Sequence, residues 1–470
     1  MAFISKNRNF ILCCVIMAAV YLLDSLLFFS QFYLMYDFFD EKTISAVSTG
    51  WAYLAQGLGL ALFILLYRTK SRLSARRMFQ AALFLIEIPV IMVSILVPNK
   101  ALLIVMIIIL NIIVGLHTGF TFTLAAAQAP TSRLGLCYGL AYAVGAFGTW
   151  LISVINGGVM TSRHILYADI LLIALIIFAI MMYRDAFTGE QKNGAKAEAD
   201  ASGAPGVSGS PAGRRIIILL CLVIAIMAPI SSIGTNNNLY VEYCRELDLL
   251  AQRSFYAVGL IAAGLVFDRN RTVSGICSVV SLIYPIVLIM IYRESGLVKL
   301  VVGLSYVILG FFAVYRASSF MTFAAESKKL YLAPLGLAIA RAFEAAAVLL
   351  LIEMNIDEMT SVILMSVLFI PLIILFFVML KAEYTGPALP LEPQPVLSVD
   401  GRHAEFARQY GLTRREEEIT GFLSEGRSNG EIAERLKLSE STVRFHVSNI
   451  LKKTGMKDRN EVGRVYRSFL

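Results

Sequence analysis

Stretches of about twenty apolar residues recur along this chain as far as residue 380, and no other sequence feature limits its fold so strongly. A helix needs about 20 such residues to cross a bilayer core. Within lipid, only helices and closed barrels satisfy their own backbone hydrogen bonds. The runs lie near 10–36, 44–67, 78–97, 101–120, 134–156 and 164–183, then near 215–233, 250–267, 272–292, 297–317, 331–352 and 359–380. The expectation is an all-α polytopic membrane bundle of about twelve spans, with Gln252 and Arg253 shortening the apolar part of the eighth. Composition agrees: 58% of the residues are hydrophobic and 16% charged, whereas soluble domains run at about 45–50% and about 25%. The surplus must face a lipid bilayer.

Lysine and arginine in the short loops set the orientation. With the N-terminus inside, the inner loops carry 18 of them, including Arg68, Lys70, Arg72, Arg76 and Arg77, and the outer loops seven. Both termini are therefore expected on the cytoplasmic side of a cell (inner) membrane. The run Phe10 to Tyr36 is long enough to span and lacks a small-residue cleavage pattern after it, so it reads as a helix and not a removable signal. The six cysteines form no CxxC pair and no Cys/His cluster, so neither a disulfide framework nor a metal site is expected.

Two breaks divide the chain. Residues 184–214 are rich in Gly, Ala and Ser without apolar periodicity, and read as a disordered inner loop that separates membrane halves 1–183 and 215–382. Residues 383–402 include Pro387, Pro390, Pro393 and Pro395. A proline-rich linker extends about 3.1 Å per residue, so its stretch 384–400 reaches roughly 50 Å and is expected to hold a final domain, 403–470, clear of the bilayer.

Six helices plus six, a long central inner loop and both ends inside resemble the major facilitator superfamily over about residues 1–382. Gly264-Leu-Val-Phe-Asp268-Arg269-Asn-Arg271 is similar to that family's G-x-x-x-D-R-x-G-R inner-loop signature, with Asn270 in place of the second glycine. The matching loop of the first half, Tyr67 to Arg77, keeps the basic residues and lacks the aspartate.

After residue 401 the pattern becomes that of a soluble helical domain. Thr413-x-x-Glu416, Ser428-x-x-Glu431 and Asp458-x-x-Glu461 fit capping boxes, in which cap oxygen and carboxylate satisfy orphan amides, and Ser439 is a fourth cap candidate. Four caps predict helices near 414–425, 429–436, 440–454 and 459–468, with apolar residues at helical spacing throughout. Only Lys437-Leu438-Ser439 separates the second from the third, the short turn of a helix-turn-helix. By charge alone, 14 basic against ten acidic residues after 401, this is as readily an ordinary helical surface as a nucleic-acid binder.

The motif decides between them. The stretch LTRREEEITGFLSEGRSNGEIAERLKLSESTVRFHVSNILKKTGMKDRNEV closely resembles the LuxR/NarL-type helix-turn-helix family, in its L-T-x-R-E opening, S-N-x-E-I-A and L-x-x-S-x-x-T-V-x-x-H-V-x-N-I. The resemblance implies double-stranded DNA as partner and 440–454 as the recognition helix in the major groove. Arg444, Phe445 and Ser448 match the family's base-facing positions, and arginine offers guanine a bidentate fork. Thr442, His446, Asn449, Lys452 and Lys453 are placed for phosphates, which position without reading sequence. The last helix, Asn460 to Arg467, is implied as the contact of a homodimer on DNA.

Ionisable residues within spans are costly and mark candidate sites. Asp24, Glu87, His117, Arg341 and Glu344 qualify; Arg341 and Glu344 lie three apart, and either neutralise each other or serve a ligand. Asp24 and Glu87 lack sequence neighbours to pair with and suggest a small-molecule or proton site near the midplane between the halves. Asp169, near an outer helix end, is expected to snorkel or cap. Gln31, Gln56, Asn111, Gln128 and Asn156 either line the same cavity or hydrogen-bond between helices. Gly135-x-x-x-Gly139 and Gly145-x-x-Gly148 read as close helix packing.

The chain shows no GxxxxGK[ST], no Gly-x-Ser-x-Gly and no kinase-like nucleotide site, so neither an enzyme nor a cofactor is expected. The leading expectation is a one-component regulator that senses a small ligand in the membrane and binds DNA at its C-terminus. The alternatives are a secondary transporter with an appended regulatory DNA-binding domain, and a tail that contacts only proteins.

Overall fold

The computed structural model describes residues 8–69, 72–97, 99–160, 163–183, 211–235, 249–284, 298–385, 406–407, 409–436 and 438–468, and these form helices and connecting turns. Residues 184–210 of the expected inner loop, 386–402 of the proline-rich linker and 285–292 of the ninth apolar run lie outside the described residues.

The chain forms two compact units, Met1–Gly386 and Pro387–Leu470. In the first, α1 Arg8–Tyr36, α2 Glu41–Tyr67, α3 Arg77–Leu96, α4 Lys100–Gln128, α5 Leu134–Ile155 and α6 Arg163–Met182 make one half. The second half holds α7 Pro211–Thr235, α8 Leu250–Arg269, α9 Arg271–Ser281, α10 Val298–Glu326, α11 Leu335–Met354 and α12 Glu358–Thr385. Eleven helices among the described residues are long and apolar enough to cross a membrane. The remaining one, α9, belongs to the apolar run that continues past Tyr284. The outward residues of these helices form apolar stripes, such as Leu58, Leu62 and Leu65 on α2, spaced three and four apart along one face.

The halves meet where α5 packs on α8 and α2 on α11. Small residues allow this. A Cβ on Gly264 would stand 2.6 Å from the Gly135 carbonyl oxygen, and one on Gly139 would stand 2.3 Å from that of Leu260. Gly145 lies as tightly against Tyr21 of α1, where a Cβ would meet a backbone oxygen at 2.6 Å. Both glycine pairs therefore serve close packing. Asn270 also has a structural role: its Oδ1 accepts from the Val273 N–H at 3.0 Å and caps the N-terminus of α9, which glycine cannot do.

The C-terminal unit contains α13 Arg414–Ser424, α14 Asn429–Leu436, α15 Glu440–Thr454 and α16 Arg459–Ser468. Its helices start at the expected caps. Thr413 and Glu416 form a reciprocal box. The Ser428 N–H donates to Glu431 Oε2 at 2.7 Å, Thr442 N–H to Ser439 Oγ at 3.2 Å, and Glu461 N–H to Asp458 Oδ1 at 2.9 Å. α15 stops at Gly455, whose φ of 69° suits glycine. Ile419, Leu423, Ile432, Val443, Ile450 and Val462 anchor a core of this unit's own, and each such side chain contributes about 1.5–3 kcal/mol when fully buried.

Candidate functional site

Two places in the molecule put polar chemistry where the fold does not require it. The first is a cavity of about 110 Å³ in the membrane unit, lined by Asp24, Gln31, Gln56 and Asn111 from one half and by Arg316 and Arg341 from the other. That is well above the roughly 15 Å³ that one water needs. Glu344 lies buried beside it, its Oε2 2.8 Å from Arg341 Nη1 and its Oε1 bonded to Arg316 Nη1. The expected pair of Arg341 and Glu344 thus exists as a triad. Arg316 was missed in the sequence, although a charge inside a long apolar run is the same signal that marked Asp24. The Arg341 guanidinium also sits 3.8 Å above the Tyr53 ring, a cation–π contact. Gln128 and Asn156 lie away from the cavity, at the C-terminal ends of α4 and α5.

Glu87 and His117 are not at this cavity. They form a second buried cluster between α3 and α4, with His117 Nε2 3.5 Å from Glu87 Oε2 and Nδ1 3.0 Å from Gln80 Oε1. Phe84 stacks on the imidazole at 3.5 Å between ring centroids, and the Gln80 amide donates to the Ser74 carbonyl at 2.7 Å. The expectation for Asp169 fails: it is 0% exposed, and neither carboxylate oxygen has a hydrogen-bond partner. The reason is its place on α6, where Leu166, Asp169, Ile173 and Ile176 share the buried face. It stands within electrostatic reach of Glu87.

A third contact joins the halves. The Asp268 carboxylate, at the end of α8, accepts the N–H of Gly135 at 2.7 Å and that of Leu136 at 2.8 Å. Those amides are orphan donors at the N-terminus of α5, where the helix dipole favours negative charge. The aspartate of the signature is a latch between first and second half.

The second place is a face of α15. Ser441, Arg444, Phe445, Ser448 and Lys452 are exposed at helical spacing, while Val443, Val447 and Ile450 face the core. Phe445 is 63% exposed, and among the described residues of this unit it is the one large apolar side chain so placed. The Arg444 side chain is 73% exposed and meets Glu440 at 3.2 Å, a surface pair weak enough to yield to another partner. Thr442, His446 and Asn449 flank this face, half-buried. Lys453 is engaged differently from its neighbour: its Nζ lies 2.6 Å from Glu416 Oε2 and ties α15 to α13. Burial pushes the Glu416 carboxyl up, but hydrogen bonds from Lys453 and Thr413 outweigh it and hold the group below its ordinary value of 4.5.

Residues 411–466 match the family profile of bacterial regulatory proteins, luxR family. The spore germination protein GerE of Bacillus subtilis is 40% identical over 60 residues, 13% of this chain and 81% of GerE. The DNA-binding transcriptional activator DevR/DosR of Mycobacterium tuberculosis is 47% identical over 51 residues, 11% of this chain and 24% of that protein. The transcriptional regulatory protein YhcZ of Bacillus subtilis is 46% identical over 57 residues, so the chain spans 27% of its length. Among solved structures, the proton:xylose symporter XylE of the major facilitator superfamily is similar at a TM-score of 0.58 and 12% identity, over 80% of this chain and 96% of that one. The fucose:proton symporter FucP of E. coli is similar at 0.51 and 12% identity, over 79% and 98%. At such identities the likeness concerns the fold alone.

Proposed function

Because the chain belongs to the LuxR family of bacterial regulatory proteins and joins that family's DNA-binding domain to a major-facilitator-like membrane domain, we propose that it is a membrane-embedded one-component transcription regulator. The observation that carries this reading is the exposed face of α15. A small soluble unit that buries its other large apolar side chains leaves Phe445 in the open, flanked by Arg444, Ser448 and Lys452.

On this reading α15 enters the major groove. Arg444 gives its fork to guanine, Phe445 meets a thymine methyl or sugar, and Ser448 completes the base contacts. Thr442, His446, Asn449 and Lys452 meet phosphates, and α16 pairs two copies on the operator. Lys453 would have to leave Glu416 to take a phosphate, so it acts mainly as a strut. The surplus of Lys and Arg in alternate short loops supports a reading in which both termini face the cytoplasmic side of a bacterial cell membrane.

Sensing then has a physical form. A small ligand in the membrane cavity shifts the equilibrium between two arrangements of the halves, and it acts only through a difference in affinity for the two. The Asp268 latch is one contact that such a shift makes or breaks. The likeness to symporters concerns fold alone, so the secondary-transporter reading has no separate support.

The test is genome-wide occupancy by the full-length protein, with and without Arg444→Ala. Specific sites weakened by about 1–3 kcal/mol in the variant, with relaxed choice at one base, are expected. No specific sites with either protein would return the tail to protein–protein contact.

A further inference from the structure

The cavity in the membrane unit carries an unbalanced charge. Three guanidiniums line it, those of Arg253, Arg316 and Arg341, while Asp24 and the adjoining Glu344 are the carboxylates that answer them. Among the described residues that line or adjoin it, one positive charge remains in excess. Glu344 is shared, with one oxygen on each of two arginines. Among the described residues, the Nε atoms of all three arginines, one Asp24 oxygen and the Gln31 amide nitrogen are buried without a hydrogen-bond partner. Arg316 is 6% exposed and Gln31 7%, so these two are built into the protein, while Asp24, Arg253 and Arg341 are half-buried at the cavity wall.

Buried donors without acceptors, and a buried charge without its counter-charge, are both costly. An anion cancels the excess and accepts from guanidinium in paired hydrogen bonds. A cation would add to the excess, and a neutral solute would leave it in place. The two sides of the cavity also differ: Arg316 and Arg341 belong to α10 and α11 and Asp24 to α1, while Arg253 of α8 lies over the Phe28 and Phe29 rings of α1. A ligand that fits both carries a donor opposite its anionic end. Tyr21 and Tyr142, stacked at 4.8 Å, supply an aromatic wall.

We propose that this cavity binds a small organic monoanion, its carboxylate held by Arg316 and Arg341 and a hydroxyl on the same molecule turned to Asp24. The proposal deepens the sensor reading and rests on it only for the consequence at DNA.

The experiment is calorimetry on the purified full-length protein in nanodiscs, with a charge-graded panel: lactate and 4-hydroxybenzoate, their neutral amides, and 4-hydroxybenzylamine. At least one carboxylate is expected to bind about tenfold or more tightly than its amide, the worth of one charged hydrogen bond. Arg341→Gln lowers that affinity by about as much. Glu344→Gln, which frees both guanidiniums while keeping an acceptor, raises it. A preference for amide or amine, no binding by either carboxylate, or weaker carboxylate binding in a Glu344→Gln protein that melts like the parent would each overturn the proposal. If Arg341→Gln does not fold, the opposite sign required of Glu344→Gln still decides. Carboxylate binding with unchanged DNA occupancy would uphold the site and sink the sensor reading. Arg444-dependent occupancy without carboxylate binding would sink the site and leave the DNA-binding reading standing.

Discussion

On α12 the side chains that face outward are Ile363, Val367, Ile370 and Ile374; on α15 they are Arg444, Ser448 and Lys452. Inside, the contrast reverses. The membrane unit encloses Asp169, Glu87, His117, Arg316 and Glu344, whereas the C-terminal core is built of Ile419, Ile432, Val443 and Ile450. Each unit follows its solvent, lipid for one and water for the other. Each also holds a feature that packing does not require: a charged triad beside a cavity in the first, an open phenyl ring on α15 in the second. Local rules fail where function is placed.

The strongest way to break this comparison is to unfold one unit and watch the other. Ile432 is fully buried in the C-terminal core. Ile432→Ala is expected to cost that unit about 2–5 kcal/mol, so in scanning calorimetry its transition drops while that of the membrane unit stays. Two transitions that fall together would mean the units do not fold separately.

Acid sharpens the comparison next. Because the Glu416 carboxyl is held below 4.5 in the folded unit, the unfolded chain takes up its proton more readily. The stabilisation is present above that value and is lost as pH falls through the lower folded one. Urea melts of the 387–470 fragment should show a falling midpoint in this window, and Glu416→Gln should flatten the fall. A midpoint independent of pH would show that the strut from Lys453 contributes nothing.

The smallest effect is the most specific. Phe445→Ala should leave the stability of the C-terminal unit within about 0.5 kcal/mol, as at other surface positions, yet weaken DNA binding. A large stability loss would make the ring part of the fold, and unchanged DNA affinity would remove it from the interface.

The legible parts of this chain are those governed by local chemistry. Thr413, Ser428, Ser439 and Asp458 announced the four C-terminal helices because a cap and its amide lie within three residues. The spans were readable because lipid dictates both their length and their composition. What escaped depends on which helix faces which. Arg316 and Glu344 are 28 residues apart, and Gln80 and His117 are 37 apart, so no periodicity joins them. Asp169 was misjudged by position along its helix, when the face it occupies decides its burial. Asn270 seemed a lost signature glycine and is a helix cap.

The central claim is that the state of the membrane unit sets the occupancy of DNA, and Asp268 offers the most direct test. Its carboxylate joins the halves through two backbone amides and lies outside the DNA-binding unit. Occupancy of target sites in cells should be compared for the full-length protein and for Asp268→Ala, at equal membrane abundance. A change of about fivefold or more, the lower end of typical coupling between sites, is the result the account predicts. Unchanged occupancy by a correctly inserted variant would contradict it, leaving the membrane unit an anchor rather than a sensor.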